Sequence, residues 1–475
     1  MNKISFNIER ELTEEEKQAV EIVKTLQEKG FEAYFAGGAV RDEILGIPAH
    51  DIDIATSAKP EEVQKIFPGA RGQGKAFGVV VVKSEKSTST KGGEFEVATF
   101  RSDIGIADHR RPIKIEYTTA EEDAQRRDFT INGLFYDPVK FEIIDYVEGI
   151  KDLKRKIIRF IGKPEERIEE DYLRMLRAVR FAAKYNFKLE AKSKKAVKEN
   201  TDKIIEISAE RIRDEVSKSL QIKNRDQSIL LWLELGLLDK ILPELKATKN
   251  VSQPVEFHGE GDVWTHTLLA LKNIGNPPDG GPSEELVGAV LLHDIAKPET
   301  IGYRSKIGKT SITFFDHDVR SAEKAKAILE RLKFSHHFIE AVFWAISQHM
   351  RIINAFSGMS ERKQKKLFSD PHIKLLLDLT KADLSASLRP IGKPDMKMYE
   401  DALALHKKFE KETSEEEKHQ VKKFDLITGN DIMKELKLEP GPEVGKIKTE
   451  IEKAYLDGKI NSRADAIKML EKYKK

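Results

Sequence analysis

Two hydrophobic periods divide the chain. From residue 13 to 29, Ala19, Ile22, Val23 and Leu26 recur at helical spacing and predict an amphipathic helix. Short apolar runs follow. Ala33–Ala36, Ile52–Ala55, Gly78–Lys83 (with Val79–Val82) and Phe95–Phe100 read as strands. After Gly37-Gly38 comes a short turn of helix with Val40, Ile44 and Leu45 on one side, which Gly46 and Pro48 break. Lys59–Phe67 reads as a short helix with Pro60 in its first turn, and Ser84–Gly93 as a polar hairpin loop. From Pro164 onward the pattern is almost wholly helical. The shift between residues 155 and 165 predicts a domain boundary, and Pro243–Pro254 predicts a second. Gly275–Pro282 reads as a loop, and the charge run Glu412–Lys423 as a solvated helix or linker. The expected fold class is α+β and multidomain: an α/β head over 1–158, a helical neck over 159–250, a third unit over 251–390 and a helical tail over 391–475.

Composition adds limits. A chain of 475 residues exceeds what one core serves. A net charge of +2 with 34% charged residues does not by itself indicate nucleic acid. The absence of cysteine excludes disulfides and thiolate metal sites. The stretch Met1–Lys17 is polar and has no apolar signal segment, and no apolar run approaches the ~20 residues of a membrane span. A cytoplasmic protein without membrane association is expected. The stretch Lys151–Asn200 stands out, with 16 Lys/Arg against 8 Asp/Glu.

The first candidate chemistry lies at Gly37-Gly38 and Asp51-x-Asp53. Paired glycines let a backbone approach a phosphate, and a helix start after them favours an anion. Residues i and i+2 on a strand share a face, so Asp51 and Asp53 can hold one divalent cation while Ile52 and Ile54 face the core. Hard oxygen donors suit Mg²⁺, and the combination suggests nucleotidyl transfer with metal ions on Asp51 and Asp53. An isolated DxD is more often a solvated turn, so the assignment needs the motifs downstream. On a predicted helix, Glu170, Asp171, Arg174 and Arg177 cluster on one side, with Tyr172, Met175, Leu176, Val179 and Ala183 on the other. Read alone, Glu170 and Arg174 are an i,i+4 ion pair worth ~0.3 kcal/mol.

Taken in order, these motifs resemble class II CCA-adding tRNA nucleotidyltransferases and the related bacterial poly(A) polymerases. They are Gly37-Gly38-x-Val40-Arg41-Asp42; Asp51-x-Asp53-x-Ala55-Thr56; Phe100-Arg101 through Arg110-Arg111-Pro112; Arg126-Arg127-Asp128-Phe129-Thr130-Ile131-Asn132-Gly133; Glu170-Asp171-x-x-Arg174-x-x-Arg177; and Ser208–Glu215. The match spans roughly residues 30 to 245. The resemblance implies a nucleotidyltransferase head with catalytic Asp51 and Asp53 holding Mg²⁺. It implies a nucleotide site of Gly37, Gly38, Arg41, Arg127, Asp128, Asn132, Asp171, Arg174 and Arg177, with CTP, ATP and tRNA as partners. Asp128 and its neighbours would contact the ribose, while Asp171 and Arg174 would read the base. Cytosine and adenine both present an amino donor beside a ring-nitrogen acceptor, and uracil and guanine present the reverse, so one Asp–Arg pair can discriminate on the order of 10⁴ without a template. The full-length Arg101–Pro112 loop argues against addition of cytidine alone. Glu94 and Glu96 share one strand face, and either could be an extra carboxylate or a solvated edge. Two positions depart from the family pattern: His50, where Lys or Arg often precedes the DxD, and Ile106, where an aromatic is common. Beside such a site the basic stretch reads as a groove for an RNA backbone.

A second constellation follows. Eight of the twelve histidines fall between residues 258 and 372. The order His266, His293-Asp294, His317, His349, Asp383 resembles HD-domain metal-dependent phosphohydrolases over about residues 255–390. A histidine in an apolar helix is ordinarily a satisfied core residue, but this set of imidazoles and carboxylates suits a divalent transition metal or Mg²⁺. His336 and His337 are alternatives for one position. The tail, with Thr428-Gly429-Asn430-Asp431 and Leu438–Gly445, resembles the tRNA-holding end of bacterial CCA-adding enzymes. The leading expectation is addition of CMP and AMP to tRNA 3′ ends with an accessory HD phosphodiesterase or phosphatase. The rivals are an A-only enzyme, a poly(A) polymerase and an HD phosphohydrolase with an RNA-binding head. The form of Gly74–Val79 favours the first over the poly(A) polymerase.

Overall fold

Thr13 caps the first helix, and its capping box with Glu16 satisfies two backbone donors, one of them at the helix start. A computed structural model of the chain describes residues 2–8, 10–48, 51–72, 78–83, 93–107, 111–275, 281–306, 309–356, 358–390, 392–423, 426–456, 459–460 and 462–474. His50, Gly74–Phe77, Asp108 and Arg110 of the sequence motifs lie outside these residues, as do 84–92 and 276–280 of two predicted loops, and so does the side chain of Ile106. The chain forms two units. One is Met1–His349 with Asp378–Asp395, and the other is Met350–Leu377 with Met396–Lys475.

The first unit begins with β1 (Asn2–Ser5), α1 (Glu14–Glu28), β2 (Ala33–Ala36), α2 (Gly38–Ile44), β3 (Asp53–Thr56), α3 (Pro60–Ile66), β4 (Arg71–Gly72), β5 (Val79–Lys83) and β6 (Glu94–Thr99). A hairpin of β7 (Arg101–Ala107) and β8 (Arg111–Tyr117) follows, then α4 (Ala120–Gln125), β9 (Leu134–Asp137), β10 (Glu142–Asp145) and α5 (Gly149–Arg155). Eight strands make one sheet in the order β1-β10-β9-β2-β3-β6-β5-β4, in which only β3 and β6 run parallel. On α1, the predicted face of Ala19, Ile22, Val23 and Leu26 is buried. Tyr34, Phe100 and Phe135 pack as a ring cluster in the core of the head.

One expectation is corrected here. Asp51 is not on the strand, because β3 starts at Asp53, which pairs with Ala36. Beyond Ala36 no strand partner remains, since Gly37 at φ +70° turns the chain into α2.

The neck contains β11 (Ile157–Ile158), α6 (Pro164–Glu170), α7 (Arg174–Tyr185), β12 (Lys188–Leu189), α8 (Ala191–Glu199), α9 (Ala209–Leu220), α10 (Arg225–Leu235), α11 (Leu238–Ile241) and α12 (Pro243–Lys246). The single helix expected through Glu170–Arg177 is instead two. Asp171 is extended, with φ −154° and ψ 104°. Its carbonyl accepts from Arg174 N (3.0 Å) and its carboxylate from Leu173 N (3.0 Å), so it restarts the helix as a cap does. The next helices are α13 (Val263–Asn273), α14 (Glu284–Leu292) and α15 (Lys297–Thr300). The hairpin β13 (Ile301–Lys306) and β14 (Lys309–Phe314) precedes α16 (His317–Arg331) and α17 (His336–Gln348).

The second unit holds α18 (Arg351–Asn354) and α19 (Glu361–Phe368). Next, α20 (Ile373–Ala386) starts in this unit and ends in the first. Four helices complete the unit: α21 (Lys397–Lys423), α22 (Gly429–Leu436), α23 (Pro442–Leu456) and α24 (Arg463–Leu470). The charge run Glu412–Lys423 is the end of α21. Ile432, Ile447, Ile451, Ala466 and Leu470 form the core of the last three helices, and Thr428 caps α22 through a box with Asp431. Among the described residues no helix is long and apolar enough to cross a membrane.

Candidate active sites

The register of the head sheet builds the first site. A cleft of about 870 Å³ is lined by Gly37, Gly38, Arg41, Asp51, Asp53, Arg127, Asp128, Asn132, Asp171, Arg174 and Arg177, which are all eleven residues expected there. It is also lined by Asp42, Asp103, Arg126, Arg180, Phe181, Lys184 and Lys218. Gly37 is constrained twice: its φ is +70°, and a Cβ there would lie 2.8 Å from Arg127 Nη1. The Arg127 guanidinium is itself fixed by Asp123 Oδ2 (3.0 and 3.2 Å) and by the Asn132 carbonyl (3.3 Å). Arg41 is buried, bonded to the Asn132 side chain and to Asp42 (2.8 Å), and lies over the rings of Phe181 and Tyr185. It therefore joins α2 of the head to α7 of the neck.

Asp53 is pushed up by burial, then by Glu96, with Asp51 adding to the effect. Negative charge gathered around one carboxylate in this way favours a cation there. The two sequence candidates on β6 separate cleanly. Glu94 pairs with Lys83 across the β5–β6 ladder at 2.7 Å, whereas Glu96 acts on Asp53 across the parallel β3–β6 pair. Burial would raise Asp128, but Arg177 (2.6 and 2.9 Å), Asn132 (2.8 Å) and Phe129 N (2.8 Å) hold it below the usual carboxylate range.

Around the proposed base-reading pair, Asp171 Oδ2 accepts from Arg211 (2.7 Å), and Arg174 Nη1 donates to Glu170 (2.5 Å) and to the Arg167 carbonyl (2.8 Å). The i,i+4 pair read from spacing is thus present, in a partly buried wall of the cleft. Arg180, one turn beyond Arg177, is held by Glu215 (2.5 Å). Arg211 and Glu215 both belong to the Ser208–Glu215 motif on α9, which therefore fixes two cleft side chains. Arg180 continues the three-residue spacing of Arg174 and Arg177, and that signal was open to a sequence reader.

The second site lies where α13, α14, α16, α17 and α20 converge. His266, His293 and Asp294 offer ligand atoms within 4.8 Å of one another, and so do Asp294, His317 and His349. Asp383 Oδ1 lies 3.1 Å from His266 Nε2 and 4.0 Å from His293 Nε2. All six expected residues are brought together. The alternatives His336 and His337 are exposed on α17, and His336 faces Glu340, so neither enters the group.

The donor chemistry fits a metal. The Nδ1 atoms of His293, His317 and His349 lie 2.9, 3.0 and 2.6 Å from the carbonyls of Val290, Phe314 and Ile346, and that of His266 lies 2.8 Å from Glu260 Oε1. These oxygens only accept, so each ring holds a proton on Nδ1 and turns Nε2 inward as the atom a metal would take. Among the described residues, Nε2 of His266, His293 and His317 and both Asp294 oxygens are buried, and their polar neighbours are one another, Asp383 and Lys297. Asp294 is held well below its usual value against burial, by His293 and by Lys297 at 2.7 Å. His258, Glu260 and Lys297 join the site without having been assigned to it from sequence.

Four family models match the chain: the poly A polymerase head domain over residues 33–159, the probable RNA and SrmB-binding site of polymerase A over 186–249, the HD domain over 263–386, and the putative tRNA nucleotidyltransferase domain 2 over 393–470. A CCA-adding enzyme of Streptococcus mutans is 31% identical over 96% of this chain and 97% of that protein, and one of Lactococcus lactis is 32% identical over 97% and 98%. A CCA-adding enzyme of Ligilactobacillus salivarius is 42% identical over 54% of this chain, a match that spans 63% of that protein. The crystal structure of the Bacillus stearothermophilus CCA-adding enzyme in complex with CTP superposes with a TM-score of 0.60 at 25% identity, covering 97% of this chain and 98% of that one. The Thermotoga maritima CCA-adding enzyme complexed with tRNA shares the fold, with a TM-score of 0.54 at 20% identity over 99% of both chains.

Fold and cleft define an enzyme class, a nucleotidyltransferase with a poly A polymerase head joined to an HD domain. Within that class, the chain belongs to the family of CCA-adding enzymes.

Proposed function

We propose that this chain adds CMP and AMP, from CTP and ATP, to the 3′ end of tRNA without a nucleic-acid template. The observation that carries the reading is the meeting of the Asp51/Asp53 carboxylates with Asp171 and Arg174 in one cleft. In the reaction the terminal 3′-hydroxyl oxygen attacks the α-phosphorus of the incoming nucleotide, and pyrophosphate leaves. Asp51 and Asp53, with Glu96 beside them, would hold Mg²⁺, which neutralises triphosphate charge and favours the hydroxyl nucleophile. Gly37 and Gly38 admit the triphosphate, and Arg127, fixed by Asp123, faces its charge. Asp128 and Asn132, locked to each other and to Arg177, face the ribose. Asp171 accepts from the base amino group and Arg174 donates to its ring nitrogen. The basic 151–200 stretch tracks the RNA backbone, and this reading puts the chain in the cytoplasm, where its substrates are.

The inward-facing Nε2 atoms support a second activity. His266, His293, Asp294, His317, His349 and Asp383 would hold one or two divalent metals for hydrolysis of a phosphoester. The chain is proposed to have head, neck, HD and tail domains over 1–158, 159–250, 251–390 and 391–475.

The deciding experiment offers tRNAs ending before CCA, after C and after CC, each with CTP and ATP. Completion of all three to CCA is expected. Extension of the CC-ended tRNA alone would mean an A-only enzyme, and long A tails a poly(A) polymerase. Asp51→Ala and Asp53→Ala should each abolish incorporation, and persistent incorporation by both would sink the mechanism.

A further inference from the structure

Glu260 is a buried carboxylate that neither reaction above employs. It precedes α13, and its side chain is 2% exposed. Oε1 accepts from Nδ1 of His258 and from Nδ1 of His266, both at 2.8 Å, and Oε2 accepts from Leu388 N at 2.8 Å. The neighbouring residue repeats the tie, with Gly259 N donating to the Leu388 carbonyl at 2.7 Å. A Cβ on Gly259 would stand 3.1 Å from that carbonyl, so the two segments meet closely.

Three of the four candidate ligand imidazoles have Nδ1 fixed by a backbone carbonyl three residues earlier. His266 is the exception. It is the fourth residue of α13, and its Nδ1 has a carboxylate as partner in place of a carbonyl. That carboxylate also grips the segment just beyond Asp383. It therefore sets His266 against Asp383, whose Oδ1 lies 3.1 Å from His266 Nε2. Bonded to two imidazoles through Oε1 and to a backbone donor through Oε2, the Glu260 carboxylate is a fixed acceptor. A carboxylate on the far nitrogen of an imidazole fixes the tautomer and makes the near nitrogen a better donor.

We propose that Glu260 is the positioning carboxylate of the HD metal centre: it holds His266 as the Nδ1–H tautomer and aims Nε2, with Asp383, at the metal. The proposal rests on the reading of this site as a metal centre. His258 shares the same oxygen but stays outside the ligand set.

The test is a Co²⁺ titration of the full-length chain carrying Asp51→Ala and Asp53→Ala, followed by visible absorption, with thermal melts as the fold check. Glu260→Gln keeps the shape and removes the charged acceptor, and it should bind Co²⁺ 10–100-fold more weakly with an unchanged melt. Parental affinity in folded Glu260→Gln overturns the proposal. If His293→Ala also binds Co²⁺ like its parent, the metal-centre reading itself fails, so the two failures are distinguishable. Should Glu260→Gln not fold, Glu260→Asp enters the same titration with about a tenfold loss expected, and parental affinity there overturns the proposal equally.

Discussion

In the proposed reaction, base choice rests on two side chains and what braces them. Arg174 enters the cleft with one nitrogen on Glu170 and on a carbonyl, and Asp171 is braced by Arg211. Removing Arg174 leaves a nucleobase acceptor unpaired in a polar wall. Arg174→Ala should therefore lower the preference for CTP and ATP over UTP and GTP from on the order of 10⁴ toward parity, read as kcat/KM for the four triphosphates. Unchanged selectivity with activity intact would remove the base-reading role. Gly37→Ala is the complementary backbone test. It forces a Cβ into the left-handed region and against Arg127, so a loss of about 1–2 kcal/mol in stability and a raised KM for both triphosphates are expected in melts and steady-state kinetics. The eleven head residues were legible in the sequence because each sits in a short local motif. The choice between Glu94 and Glu96 was not, because it depends on which strands lie on either side of β6. The brace from Arg211 was equally hidden, since its partner lies forty residues away.

Among the elements, α4 does more than its six residues suggest. Its Asp123 is buried and accepts from Arg126, Arg127 and the backbone of Arg101, so one carboxylate aligns the start of β7 with the arginines of the cleft. Burial would raise Asp123, but Arg127 and Arg126 hold it below the usual value of 3.8. A depressed carboxylate contributes stability in full above its unfolded value and loses it as pH falls through the folded value. Asp123→Asn should cost roughly 3 kcal/mol at pH 7 and raise KM for both nucleotides, and the stability gap should shrink progressively below pH 3.8 in denaturant melts. A constant gap down to the lowest pH would mean that the amide breaks packing and not charge pairing. Hydrophobic period located α1, β2 and α3 well, yet it missed the break at Asp171. Ile168, Tyr172, Met175 and Leu176 are all buried, so the apolar repeat runs straight through the interruption. The break shows only in the hydrogen bonds of one side chain.

Across the whole chain, the two proposed centres differ in the hardness of their donors. The head offers carboxylate oxygens alone: Asp51, Asp53 and the neighbouring Glu96. The HD site offers four imidazoles, with Asp294 shared between the His266/His293 and His317/His349 groups and Asp383 beside them. Oxygen-only sites with few protein ligands suit Mg²⁺, which also brings the triphosphate oxygens, whereas imidazole-rich sites prefer later transition metals at much lower concentration. The centres should therefore separate by metal. After chelator treatment, Mg²⁺ at millimolar level should restore CMP and AMP incorporation while leaving phosphoester hydrolysis near background, and micromolar Ni²⁺ or Co²⁺ should restore the hydrolysis. His293→Ala should remove only the second response, and Asp53→Ala only the first. Equal restoration of both activities by Mg²⁺ would show that the histidine set does not select a softer ion, and loss of both activities in His293→Ala would show that the centres are coupled. The ligand types behind this contrast were readable residue by residue. Their assembly was not, because it needs five helices to converge, and the contacts that turn each Nε2 inward are made by carbonyls and by one carboxylate that no spacing in the sequence reveals.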